Sequence, residues 1–119
     1  MRQPALRLLL AVTLGLAASS IFAADDWAGA WHAAQRASAA QQALSDRYTA
    51  IWATLDAAGK ARFSAQERAW LNVGRQDEQQ ACVMRAGPRT EATARTCEAD
   101  VIERHLRSLG TPGRQAASN

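Results

Sequence analysis

The chain has 119 residues, fourteen basic and eleven acidic, for a formal charge of +3, and 48% of it is hydrophobic. Arg2 and Arg7 account for most of that excess: without them twelve basic residues face eleven acidic ones. With no basic block, the remainder offers no footprint for nucleic acid and no charge attraction to a membrane, and its length suits one domain with a modest core.

The first 23 residues have the layout of a secretory signal peptide. Arg2 and Arg7 precede an apolar run from Leu8 to Leu16; the small residues Ala17-Ala18-Ser19-Ser20 follow, and then Ile21-Phe22-Ala23-Ala24. The run is too short for a permanent membrane span, and the basic start argues against a buried N-terminal helix. Cleavage is expected after Ala23, with Ala24 or Ser20 as alternatives. The sequence thus divides into a leader (1–23), a helical domain (24–109) and a disordered tail (110–119). No cysteine near the junction suggests a lipid anchor, and the expected location is periplasmic or secreted.

Asp25-Asp26 suit a helix start, as cap and dipole partners. Trp27, Trp31, Ala34, Ser38, Gln41, Leu44, Tyr48, Ile51, Trp52 and Leu55 follow at helical spacing. Ser45 is able to cap a second helix, so a break or bend is expected near Ala43 to Asp46, one long helix being the alternative. Ala57-Ala58-Gly59 is read as the stop, glycine taking the left-handed conformation just past a helix. Trp27 and Trp31 lie one turn apart on one face. They read as ordinary core in a chain short of large apolar residues, the alternative being an aromatic contact surface. Tyr48 is a core anchor, and His32 is expected to be solvated or partly packed.

Ser64-Ala65-Gln66-Glu67 matches a capping box, so a helix is expected from Ser64 to about Ala86. Trp70, Leu71, Val73, Ala81, Cys82 and Met84 are its apolar positions, with Trp70 as its core anchor. The run Arg75-Gln76-Asp77-Glu78-Gln79-Gln80 covers every side of that helix, so some of these side chains must face neighbouring helices and find partners there. Gly87-Pro88 breaks the helix. Thr90 caps the last one, which turns Ala94, Cys97, Val101, Ile102, His105, Leu106 and Leu109 inward. Gly110-Thr111-Pro112-Gly113 ends it.

The chain has two cysteines. In an exported protein they most simply form one disulfide, Cys82–Cys97, whereas two thiols alone make a poor zinc site. They lie almost equally far from a turn centred near Arg89, where two antiparallel helices face each other. The fold class expected is therefore all-α: a small antiparallel helical bundle with a disulfide-stapled C-terminal hairpin. Trp70 should pack towards Leu106 or Leu109 at the hairpin's open end.

Three stretches also resemble a known family. These are Leu44-Ser45-Asp46-Arg47-Tyr48 with Ile51 and Leu55; Glu67-Arg68-Ala69-Trp70-Leu71 with Arg75; and Cys97 with Leu106 and Leu109. Together they are similar to the small exported lysozyme-inhibitor-like (LprI-like) family over Leu44 to Leu109. Arg75 stands one residue further from Trp70 than is usual in that family, and Cys82 about one helical turn further. The cysteines often found near the start of the family domain are absent, and Arg104 stands one place before the family's usual arginine. The resemblance implies a non-enzymatic binding protein with a protein partner, a lysozyme-type glycosidase being the partner implied. Arg85 and Arg89, beside the Gly87-Pro88 turn, are candidate partner contacts, because an arginine on a rigid turn suits a carboxylate-lined cleft.

No nucleophile motif, paired carboxylates, phosphate loop or metal-ligand cluster is legible, so neither catalysis nor a cofactor is expected. The alternative function, from a different class, is a small helical envelope chaperone or stress accessory protein.

Overall fold

A computed structural model describes residues 3–87 and 89–110, with side chains described from residue 26 onward. The details expected for Pro88, for the side chains of residues 1–25 and for the stretch beyond Gly110 lie outside the described residues. Among the described residues there is no strand. The chain forms α1 (Gln3–Thr54), α2 (Ala57–Ala69), a π-helical turn (Trp70–Gly74), α3 (Arg75–Ala86) and α4 (Glu91–Leu109). The segment from α2 to α3 is one continuous helical rod, so the architecture is three helical rods running up, down and up. No helix among the described residues is long and apolar enough to cross a membrane.

The first helix departs from expectation in three ways. Its backbone is helical through Asp25-Asp26, so they do not start it; between Ala5 and Ala24 there is no glycine pair or proline that would stop a helix before them. Nor does it break near Ala43 to Asp46. Leu44 there is fully buried, Ser45 is exposed, and Gln42 Nε2 bridges to Asp46 Oδ1 at 3.0 Å across one helical turn, so packing and local bonding both favour continuation. The inner stripe, finally, is Ala33, Ala37, Ala40, Leu44, Ile51 and Leu55 rather than one running through Ala34, Ser38 and Gln41. Small side chains let α1 and α4 approach closely, and alanine supplies that contact without burying a polar group.

The first turn of the bundle is also differently built. The helix ends at Thr54, and Asp56 caps α2, its Oδ1 accepting from the Gly59 amide at 2.7 Å. Gly59 is therefore the third residue of a new helix and not the stop of the old one. What it supplies is close approach: a Cβ there would meet Asp56 Oδ1 at 3.0 Å and Leu55 Cδ2 at 3.3 Å. With the helix already under way, Ser64 caps nothing; its hydroxyl accepts from Arg68 Nη2 at 3.0 Å. Glu67, freed from any capping role, turns into the bundle.

The C-terminal hairpin follows the sequence closely. Gly87 takes φ +88°, a conformation that favours glycine. Thr90 caps α4 by accepting from the Thr93 amide at 3.1 Å. Cys82 and Cys97 are bonded, with their Cα atoms 5.7 Å apart. The polar run of α3 finds its partners as packing demands: Arg75 donates to Gln41 Oε1 at 3.1 Å and lies 3.7 Å from Glu98, and Gln79 donates to the Ala94 carbonyl at 2.9 Å.

Leu44, Ile51, Cys97, Val101 and Ile102 are the largest fully buried side chains. Leu44, Ile51, Leu55, Phe63, Ile102 and Leu109 form the core near the α1–α2 turn, and Tyr48, Trp70 and Leu106 pack against it. Arg36 fixes the α1–α4 register from outside by bonding Asp100 at 2.5 Å and Glu103 at 2.6 and 2.9 Å. Those bonds, to Glu103 first and then Asp100, push its guanidinium further towards the protonated form.

Candidate functional site

Tyr48 from α1, Glu67 from α2 and His105 from α4 converge on one point. The Tyr48 hydroxyl donates to Glu67 Oε2 at 2.5 Å, and His105 Nε2 lies 2.6 Å from the same oxygen. Glu67 is only 5% exposed and is the one buried charged residue among the described residues. Burying a carboxylate is costly unless it is bonded, and hydrogen bonds to a charged group return about 1.5–3 kcal/mol each. The cluster thus ties all three rods together through one side chain. Burial, and then the bond to Glu67, pushes the Tyr48 phenol well above its ordinary value and holds it protonated.

The π-helical turn beside this cluster positions Trp70. An α-helix would put a residue five places on about 140° around the axis; the wider turn brings it back over the starting residue. Accordingly, the Arg75 amide bonds the Trp70 carbonyl, and the Arg75 guanidinium carbon sits 5.9 Å from the Trp70 ring centre. The indole stacks on the His105 imidazole at 3.6 Å between ring centres and 5° between planes. Gly74 leaves room for it, since a Cβ there would lie 3.0 Å from Trp70 Cδ1. Trp70 is thus partly buried against His105, with Leu106 packed on the same core.

Between α1 and α2 the cluster opens into a groove of about 410 Å³. Tyr48, Trp52, Phe63 and Leu71 supply its apolar walls, and Glu67 and Arg68 line it as charged groups. Tyr48 and Phe63 meet edge to face at 5.7 Å.

The other sequence-predicted residues lie at the opposite end. Arg85 and Arg89 are exposed on either side of the hairpin turn. Gly29 of α1 packs against Ala92 at the start of α4, its Cβ position 3.6 Å from the Ala92 Cβ, so α1 passes this tip. Trp27 and Trp31, read as core, are instead 68% and 52% exposed, their rings stacked at 6.0 Å and 13°. The reason is local: α1 contacts α4 here through alanine and glycine, leaving no interior wide enough for an indole. His32 is exposed.

Compared with protein families, curated proteins and solved structures, the chain matches none. Its site therefore stands on geometry alone.

Sequence reasoning missed Glu67, whose match to a capping pattern concealed its role. The available signal was His105: an imidazole within the apolar stripe of α4 requires a buried partner. Glu67 and Trp70, one helical turn apart, supply the hydrogen bond and the stacking surface.

Proposed function

We propose that the protein is an exported, non-enzymatic binding protein of the cell envelope, akin to the lysozyme-inhibitor-like family. The observation that carries this reading is the disulfide-bonded hairpin, whose turn displays Arg85 and Arg89 to solvent. A disulfide suits an oxidising compartment. A turn held by a crosslink and capped by Thr90 loses little entropy on binding, which favours insertion of an arginine among carboxylates. The π-helical turn adds a further parallel: it absorbs the extra residue between Trp70 and Arg75 and keeps arginine over tryptophan.

The test is a lytic assay with oxidised protein lacking residues 1–23, against animal and bacterial lysozymes. Inhibition that falls in Arg85→Ala or Arg89→Ala supports the proposal. No inhibition by the unaltered domain removes the lysozyme partner, and a pull-down from the envelope fraction then tests for another.

A second reading, an envelope chaperone, is favoured by the large apolar side chains exposed at Trp27, Trp31, Val73 and Met84. Such surfaces mark protein-interaction sites when they are contiguous. Suppression of aggregation of an unfolded client at equal molar ratio, lost on Trp27→Ala with Trp31→Ala, distinguishes it from the first reading.

A further inference from the structure

Trp27 and Trp31 do not stand alone on α1. At 100° per residue, Trp27, Trp31, Ser38 and Ser45 fall within about 40° of one another, on a face about 27 Å long. Beyond Trp31 this face forms one wall of a trough of about 500 Å³, and α4 forms the other. Ala34 begins the trough about one turn after Trp31. Ser38, Gln41, Gln42 and Ser45 line it from α1, and Arg95 and Glu98 line it from α4.

The charges in this trough are satisfied among themselves. Arg95 donates to Glu91 at 3.0 Å and to Glu98 at 3.1 Å, and Glu98 also lies 3.7 Å from Arg75. A charged ligand therefore meets no unpaired opposite charge. The neutral groups are the ones left open. Gln41 Oε1 accepts from Arg75, and Gln42 Nε2 donates to Asp46. The Gln41 amide nitrogen, the Gln42 carbonyl oxygen and the Ser38 and Ser45 hydroxyls have no partner among the described residues. A donor, an acceptor and two groups that serve as either thus stand within two turns of one helix.

The ligand that matches has hydroxyls that both donate and accept, and rings with an apolar C–H face. The indoles at the head of the trough, exposed and stacked on each other, supply a flat platform for such a ring. An aromatic pair alone would suit any apolar body; the amides and hydroxyls that follow it on the same face are what select a polyol.

We propose that the α1–α4 trough, with Trp27 and Trp31 at its head, binds a neutral oligosaccharide. One sugar ring stacks on the indoles, and the hydroxyls of the next bond to Ser38, Gln41, Gln42 and Ser45. The proposal uses neither Arg85 nor Arg89, so its failure leaves the inhibitor reading untouched. A chaperone surface, by contrast, would use the indoles without the polar groups.

The experiment titrates the oxidised protein with chitotetraose, cellotetraose and a tetraalanine peptide capped at both ends, followed by the indole N–H resonances of Trp27 and Trp31 and the side-chain amide resonances of Gln41 and Gln42. At least one of the two sugars should shift both sets together, and the peptide neither. Trp27→Ala with Trp31→Ala should weaken sugar binding about tenfold through the lost stacking. Ser38→Ala with Gln42→Ala should also weaken it about tenfold, through two lost hydrogen bonds. All four side chains are exposed, so both variants keep the fold, which an unchanged melting temperature verifies. The proposal is overturned if neither sugar shifts these resonances up to its solubility limit, or if the shifts lie elsewhere. It is equally overturned if the peptide binds as tightly as the sugars, or if the Ser38 and Gln42 variant retains full affinity.

Discussion

Tyr48 is the only tyrosine in the chain, so its phenolate absorbance reports on a single group. In the folded protein burial and the bond to Glu67 raise its pKa well above the ordinary value of 10.0. Above pH 10 the unfolded chain releases this proton while the folded chain keeps it. The native state then binds more protons, and stability must fall as pH rises. A full effect at pH 11 is about 1.4 kcal/mol; the hydroxyl is only half-buried, and solvent screening reduces this to roughly 0.7 kcal/mol. Below pH 10 this contribution is intact. Tyr48→Phe should cost about 1.5–3 kcal/mol at neutral pH, because Glu67 loses a donor. It should also flatten the alkaline decline. Urea unfolding from pH 8 to pH 11, on both proteins, measures both effects. A phenol that titrates near 10 in the folded protein, or an equal alkaline decline in Tyr48→Phe, would refute the reasoning.

Reduction of the Cys82–Cys97 bond should destabilise the fold by about 3 kcal/mol, the value for closing a loop of this length, and thermal melts with and without reductant measure it. Trp70→Ala should cost about 2–3 kcal/mol, less than the 3–5 typical of a fully buried aromatic because the ring is only partly covered, and should move the His105 ring resonances as the stacked indole is lost. Ile102→Ala should cost about 2–5 kcal/mol, since the side chain is fully buried. Trp27→Ala and Trp31→Ala should each stay within about 0.5 kcal/mol, both side chains being exposed, and denaturant midpoints of the three variants separate core from surface.

By itself the sequence determined those features that depend on one residue and its near neighbours. The all-α class follows from apolar spacing near 3.6, and the hairpin from a glycine able to take φ +88° followed three residues later by a capping threonine. The disulfide follows from an even pair of cysteines placed symmetrically about that turn. The need of Arg75 and Gln79 for partners was legible for the same reason, because a run polar on every side cannot avoid its neighbours. Tertiary structure decided the rest, since it depends on which of several local options is repaid by packing. Ser64 to Glu67 is a valid capping pattern, but Asp56 starts the helix earlier, and the bonds from Tyr48 and His105 draw Glu67 inward. Trp27 and Trp31 satisfy the spacing of a core stripe, yet the close alanine contact between α1 and α4 leaves only the surface for them. The groove, finally, is assembled from residues on two helices that meet only after the turn at Leu55 and Asp56, and no local pattern in either helix specifies it.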